Sequence, residues 1–250
     1  MLDPWNWTTL AIIAATFVLG GFVRGIVGLG MPTIALALLG ASLGLKTAVA
    51  LIVIPTFAFN VWQAVVGGAF VALISRLWSF LLAAGIATWA GSMVLAQADT
   101  GIPSVLLGLV LCAYAVAGLM DAQPRSLPAH EIWLTPLMGA LNGALTGLTG
   151  AFVVPGVLYL EALGLNRDAL IQAMGMLFSV SAVVLALSLA EKRILDAELA
   201  MLSSAALLPA LAGMALGQRL RSHIPEKHFR SVFFGALFLL GGYIAAKSVL

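Results

Sequence analysis

The chain has 250 residues, of which 62% are hydrophobic and 9% are charged, and its formal net charge is +2. A soluble globular domain carries roughly 25% charged residues, so this composition excludes a water-soluble fold. The apolar stretches are long enough for helices, and the alternating pattern of a membrane β-barrel is absent from the sequence. We therefore predict an all-α polytopic membrane protein whose first partner is the lipid bilayer. The sequence contains no basic run, so no nucleic-acid partner is expected.

The predicted membrane segments form two sets of four. In chain order they cover residues 8–42, 47–67, 77–97, 102–120, 132–162, 168–190, 198–218 and 230–248. The polar stretch DAQPRSLPAHE, residues 121–131, separates the two sets. The sequence thus predicts a first membrane repeat over residues 1–120, a linker loop over 121–131 and a second membrane repeat over 132–250.

Short matches between the two halves indicate an internal duplication. Gly28-Leu29 recurs as Gly147-Leu148 at a shift of 119, and Leu43-Gly44-Leu45 recurs as Leu163-Gly164-Leu165 at a shift of 120. The stretch WAGSMV around Gly91 resembles LAGMAL around Gly213 at a shift of 122. Matches in one order at nearly one offset favour gene duplication over chance.

The leading segment of each half has an unusual length and an interior rich in glycine. A straight helix over residues 8–42 would run ~50 Å, against a ~30 Å hydrocarbon core. The interior glycines are Gly20, Gly21, Gly25, Gly28 and Gly30 in the first half, and Gly139, Gly143, Gly147 and Gly150 in the second. Such breaks are tolerated inside a membrane where they line a cavity or are buried in protein. We predict two broken, re-entrant hairpins that turn near Gly28–Pro32 and Gly147–Gly150; tilted, kinked single helices are the alternative.

The basic residues favour the hairpins. If each leading segment returns to its own side, the two halves are inverted. With Arg24 left out as buried, seven of the lysine and arginine residues then lie on one side of the membrane and four on the other. The seven are Arg76, Arg125, Arg167, Arg219, Arg221, Lys227 and Arg230, and the four are Lys46, Lys192, Arg193 and Lys247. The positive-inside rule places the first group in the cytoplasm and both termini outside. Inverted repeats with broken helices are typical of secondary transporters.

The breaks are also where the sequence predicts a binding site. Arg24 lies within the first glycine-rich break, and a returning half-helix presents free N–H groups and a positive dipole end. Pro32 suits the first helical position of such a helix, because its missing N–H would have been unsatisfied there anyway, and Thr149 is a candidate N-cap in the second half. Together these groups would attract an anion. The predicted substrate-binding residues are Arg24, Gly28, Gly30, Thr33, Asn60, Asn142, Thr146, Gly147, Thr149 and Gly150.

Other chemistries lack their residues. No aspartate, glutamate or histidine falls in the middle of a predicted span, and no nucleotide-binding loop is present. The nine methionines are scattered, and Cys112 lies alone in an apolar run. We therefore expect no catalytic residues, no metal site and no cofactor, and we do not expect an enzyme.

Two stretches resemble the signature segments of the sulfite exporter TauE/SafE family. They are GGFVRGIVGLGMPTIALALL in the first half and GALNGALTGLTGAFVVPGVLYLEALGLNRDAL in the second. The resemblance covers almost the whole chain. It implies a transporter of a small sulfur-containing or organic anion, such as sulfite, a sulfonate or a sulfoacetate-like compound, in a bacterial inner membrane.

The leading hypothesis is an exporter that works by alternating access around a site near the middle of the membrane. The alternatives are an anion channel that uses the same residues and a membrane scaffold or assembly protein without transport. The small-residue pair Gly213 and Gly217 allows close helix packing within the chain or between two copies. A homodimer is therefore one of the arrangements that the sequence allows.

Overall fold

The computed structural model describes residues 6–28, 30–99, 101–120, 131–221 and 226–248, and their regular structure is helical. In chain order the helices are α1 Trp7–Val27, α2 Met31–Leu43, α3 Leu45–Val66, α4 Phe70–Gln97, α5 Gly101–Leu119, α6 Glu131–Thr149, α7 Gly156–Ala162, α8 Arg167–Glu191, α9 Ala197–Ala205, α10 Leu207–Leu220 and α11 Glu226–Lys247. The all-α prediction is confirmed. The predicted linker 121–131 falls outside the described residues, except that Glu131 begins α6.

Seven spans among the described residues are long and apolar enough to cross a membrane. They are α1, α3, α4, α5, α8, α9 together with α10, and α11 from Phe229 onward. The two leading segments that the sequence predicted to be broken consist of α1 and α2 in the first half and of α6 and α7 in the second. Both segments are broken, after Val27 and after Thr149.

Charged side chains mark two opposite ends of the helical bundle. We call one the arginine end, because it carries Arg76, Arg167, Arg219, Arg221 and Arg230, and the other the lysine end, with Lys46, Lys192, Arg193 and Lys247. At the arginine end Arg230 donates to the Gly118 carbonyl oxygen at 3.0 Å. At the lysine end Lys46 donates to the Ala96 carbonyl oxygen at 3.0 Å. Arg125 and the side chain of Lys227 lie outside the described part of the chain.

The second leading segment begins and ends at the same end of the bundle. Arg76 forms an ion pair with Glu131, with Nε and Oε1 2.6 Å apart, and its Nη2 donates to the Leu163 carbonyl oxygen at 3.4 Å. Residue 131 opens α6 and residue 163 directly follows α7. The chain therefore enters at the arginine end, turns inside, and leaves at the arginine end.

Two close helix pairs form the framework around the breaks. Helix α1 packs parallel to α10, where Gly21 meets the backbone of Ala210 and Gly25 meets that of Met214 and Gly217. Helix α6 packs on α4 in the same way, where Gly143 meets Ala84 and Gly147 meets Thr88 and Gly91. In both seams, glycine lets two backbones touch without intervening side chains. Each leading helix thus packs on a helix from the other half of the chain.

Candidate functional site

The first break is built by two glycines with left-handed backbone conformations. Gly28 has φ 88°, and its N–H donates to the Arg24 carbonyl oxygen at 2.7 Å, which ends α1. Gly30 has φ 98° and directly precedes α2, whose first turn contains Pro32. Helix α2 begins at Met31, one residue earlier than predicted, so Pro32 is its second residue, still in the first turn, where a missing N–H leaves no intrahelical hydrogen bond unmade.

The second break begins in the same way, at Gly150 rather than at Gly147. Gly150 has φ 75°, and its N–H donates to the Thr146 carbonyl oxygen at 2.7 Å. Gly147 lies inside α6. The prediction that Thr149 is an N-cap was wrong: Thr149 is the last residue of α6, its hydroxyl donates to the Leu145 carbonyl oxygen at 2.6 Å, and it accepts the Ala151 N–H. Because helix α6 continues to Thr149, this hydroxyl caps an ending helix, not a starting one.

Asn142 and Thr146 hold the second break together. The Asn142 Oδ1 accepts the N–H of Gly156 at 2.9 Å, which caps the start of α7. The Thr146 hydroxyl donates to the Ala151 carbonyl oxygen at 3.0 Å. Both side chains are fully buried. In this structure their polar atoms therefore serve the fold of the break.

Both returning helices start about halfway along the spans they lie against. Gly20 lies against Met31, the first residue of α2, and the adjacent Gly21 touches Ala210, near the middle of Ala197–Leu220. Asn142 holds the start of α7 beside Gly143, which touches Ala84 near the middle of α4. The two helix starts therefore lie at a similar depth, deep within the bundle.

The two breaks meet around a very small cavity of about 10 Å³. Arg24, Gly30, Pro32 and Thr33 line it from the first break. The second break contributes Phe152, Val153 and Val157, and Tyr114 and Phe178 complete the wall. A space of this size holds a single water molecule at most, so the two breaks are closed on each other in this conformation.

Arg24 is buried, with 8% of its surface exposed, and it does not point out of the bundle. Its Nη2 donates to Gln63 Oε1 at 2.7 Å and to the Phe59 carbonyl oxygen at 3.4 Å. The guanidinium lies 5.1 Å from the centre of the Phe59 ring. Among the described residues the ion pairs are Arg76 with Glu131 and Lys192 with Glu191, so no carboxylate neutralises Arg24. A buried guanidinium without a counter-ion is costly unless an anion joins it.

A larger cavity of about 700 Å³ leads from Arg24 to the arginine end. Arg24, Phe59 and Gln63 line it where it borders the guanidinium, and the largely exposed Trp62 also borders it. Its mouth is lined by residues at the ends of three helices, namely Val66, Asp168 and Gln218. Arg24 therefore borders both the closed central cavity and a wide opening, a position in which a diffusing anion could reach the guanidinium from one side.

The remaining predicted residues lie elsewhere. Asn60 is fully buried on α3; its Nδ2 donates to the Thr56 carbonyl oxygen at 2.7 Å, and its Oδ1 has no partner in the described structure. Gly147 packs on α4, and Gly150 lies against Val49. Gly28 is exposed beyond the end of α1. Of the predicted set, the structure brings Arg24, Gly30 and Thr33 together at the central cavity.

The predicted set omits the aromatic wall and the amide that holds Arg24. Gln63 stands out in the sequence as an amide within an apolar span, which is the signal that could have identified it. Phe59, Phe152, Phe178 and Tyr114 give no such signal, because an aromatic residue in a membrane span is ordinary. Only the three-dimensional arrangement shows that they surround the arginine.

The fold and site together define a class of protein. Apolar spanning helices and two broken segments that meet inside the bundle are features of membrane transporters. The chain belongs to the sulfite exporter TauE/SafE family, whose model matches residues 12–244. No curated protein and no solved structure matches the chain.

Membership of this family carries a general function. The family consists of membrane transporters rather than enzymes, and it implies transport of sulfur-containing anions such as sulfite. With seven apolar spans in the described part of the chain, it is a multi-pass membrane protein.

Proposed function

We propose that this protein exports a small sulfur-containing or organic anion across the bacterial inner membrane by alternating access. The anion would be sulfite, a sulfonate or a sulfoacetate-like compound. Arg24 would bind it, with the first-turn N–H groups of α2 and the hydroxyl of Thr33 as further donors. In other conformations, the predicted donors Asn60, Asn142, Thr146 and Thr149 and the backbone at Gly28, Gly30, Gly147 and Gly150 would contribute to the same site.

The single observation that carries this proposal is the unneutralised, buried Arg24 between the two breaks. Its partners are the neutral oxygens of Gln63 and Phe59. A guanidinium presents planar, paired donors that match a trigonal array of oxygens. An anion that binds there offsets the cost of the buried charge, so substrate and site would stabilise one another.

The two cavities suggest how access could alternate. The large cavity gives Arg24 a route to the arginine end, which the positive-inside rule places in the cytoplasm. The central cavity is closed and holds at most one water molecule. This arrangement corresponds to a carrier that faces the cytoplasm with its central gate shut. An inside-negative potential drives anions outward by ~2.3 kcal/mol per charge per 100 mV, so export needs no coupled ion.

Efflux from proteoliposomes tests the role of Arg24. We expect Arg24→Ala to reduce sulfite or sulfonate efflux at least about a hundredfold, because one buried charge-assisted partner of an anion is worth several kcal/mol. Arg24→Lys should retain part of the rate, since it keeps the charge but loses the paired donors. The matched control is Arg167→Ala, which removes an exposed arginine from the arginine end of the bundle. Efflux by Arg24→Ala at the rate of the control would remove Arg24 from the mechanism.

A further inference from the structure

The acceptors around Arg24 share one chemical property, which is that none carries a charge. Nη2 makes both of the hydrogen bonds that Arg24 forms with the described residues, to an amide oxygen and to a backbone carbonyl oxygen. The third contact is the face of the Phe59 ring. These contacts hold the guanidinium in place but leave its positive charge intact.

The position of the amide oxygen is itself fixed. Gln63 Nε2 donates to the Ile171 carbonyl oxygen on α8 at 3.1 Å, so the amide can turn only one atom, Oε1, toward Arg24. A second glutamine bonds across the same seam in the opposite direction. Gln172 Nε2 donates to the Ala64 carbonyl oxygen on α3 at 2.7 Å. The reciprocal bonds align α3 and α8 and so set the point from which Gln63 reaches Arg24.

We propose that Gln63 is a positioning residue that holds Arg24 through a neutral oxygen, so that the charge of the guanidinium is kept for the transported anion. This inference rests on the proposed function. Glutamate has the same length and could place a carboxylate oxygen where Oε1 lies, and a charged acceptor bonds arginine more strongly than a neutral one. That stronger bond would neutralise Arg24 and compete with the substrate. Glutamine at position 63 therefore favours anion binding, whereas glutamate at the same position would oppose it.

A positioning role for Gln63 and a space-filling role predict opposite orders for the effects of Gln63→Glu and Gln63→Leu. If Gln63 only filled space, the nearly isosteric Gln63→Glu would be the mildest change and Gln63→Leu the harsher one. If Gln63 is a neutral tether, Gln63→Glu is the more damaging change for anion binding. It should also leave the unliganded protein more stable than Gln63→Leu, because both variants remove the donor to the Ile171 carbonyl oxygen but only glutamate gives the buried arginine a counter-ion.

The experiment measures methanesulfonate binding to the full-length protein in detergent by calorimetry, together with the melting temperature without anion. We expect Gln63→Glu to weaken binding at least about tenfold and to melt at a higher temperature than Gln63→Leu. Gln63→Leu should weaken binding less and lower the melting temperature, since it leaves Arg24 and the Ile171 carbonyl without this partner. Gln218→Glu, which adds a carboxylate to the mouth of the same cavity, is the matched control and should weaken binding less than Gln63→Glu.

These measurements distinguish a failure of the proposed function from a failure of the proposed role of Gln63. If the unsubstituted protein binds neither methanesulfonate nor sulfite, the proposed function fails and this inference fails with it. If the unsubstituted protein binds the anion and Arg24→Gln does not, the proposed site stands. Gln63→Glu that then binds like the unsubstituted protein, or better than Gln63→Leu, would overturn the role of Gln63 alone.

Discussion

One guanidinium sets the charge that the site can accept. Arg24 is the charged side chain that lines the central cavity, and the surrounding wall is largely aromatic and aliphatic. A monoanion bound to Arg24 forms a neutral pair, whereas a dianion leaves one negative charge uncompensated in a region of low dielectric, which costs several kcal/mol. Among the proposed substrates, this charge balance favours a monosulfonate or singly charged hydrogensulfite over a sulfoacetate-like dianion.

This charge balance predicts selection between anions of similar size. Methanesulfonate, with one charge, should compete with the transported anion at least about tenfold better than sulfate, with two charges. Competition in the proteoliposome efflux assay measures the ratio. Equal competition by the two anions would show that further positive charge reaches the site.

The two left-handed glycines at the helix ends form a natural pair for a stability test. Gly28 and Gly150 make the same hydrogen bond to the carbonyl four residues earlier, with φ 88° and φ 75°. An alanine at either position pays the cost of a left-handed conformation, roughly 1–2 kcal/mol. At Gly28 a Cβ meets nothing within 4 Å, but at Gly150 it would lie 2.6 Å from the Val49 side chain.

We therefore expect Gly150→Ala to destabilise the protein more than Gly28→Ala, by a further ~1–3 kcal/mol for the overpacked Cβ. Thermal melting of the two variants in the same detergent compares them directly. A larger loss for Gly28→Ala would mean that the crowding at Gly150 relaxes and that the first break is the less tolerant one.

At the scale of elements, a side chain rather than the backbone determines where α7 starts. Asn142 Oδ1 accepts the Gly156 N–H at a fully buried position. Asn166 makes the same kind of bond at the exposed start of α8, where Oδ1 accepts the Ala169 N–H at 2.8 Å. The two caps differ mainly in access to water.

Alanine substitutions of Asn142 and Asn166 should therefore lower the free energy of unfolding by different amounts. Asn166→Ala should cost about 1 kcal/mol, since water can satisfy the freed N–H. Asn142→Ala should cost about 2–3 kcal/mol, because Gly156 would keep a buried, unpaired N–H beside a new cavity. Chemical denaturation in mixed micelles measures both. Equal losses would indicate that water enters the second break.

The sequence predicts where the two leading segments break, but it does not predict the residue at which α6 ends or the role of Thr149 there. Glycine spacing and segment length predict both breaks, because no single straight helix fits residues 8–42 in a bilayer. Helix α6 ends at Thr149, two residues after Gly147, because the left-handed turn falls on Gly150 and the intervening residues stay helical. Thr149 looks like an N-cap in sequence, since threonine bonds the backbone at either end of a helix, and composition alone does not say which.

At the scale of the whole molecule, the seams between helices give a repeat register that short sequence matches miss. Gly25 meets Met214 and Gly217 as Gly147 meets Thr88 and Gly91. This pairs Gly25 with Gly147 at a shift of 122, not Gly28 with Gly147 at a shift of 119, and on the partner helices it pairs Gly91 with Gly217 at a shift of 126, not with Gly213 at a shift of 122. The shift of 122 in the leading segments also relates Gly28 to Gly150 and Arg24 to Thr146. The duplication stays a prediction that these contacts support, and under it the cation lies in one half only.

The inverted arrangement of the halves can be tested from outside. Ser42 is exposed near the end of the first leading segment, at the lysine end, and Asp168 is exposed after the second, at the arginine end. Ser42→Cys and Asp168→Cys in a Cys112→Ala background each place one accessible thiol, and neither removes a basic residue that would influence orientation. We expect a membrane-impermeant maleimide to label Ser42→Cys in intact cells and Asp168→Cys only after the membrane is opened. A helix crossing completely in place of the second hairpin would make four crossings between the two thiols and put both on one side, and the two broken segments could then no longer meet around Arg24 from opposite faces of the membrane.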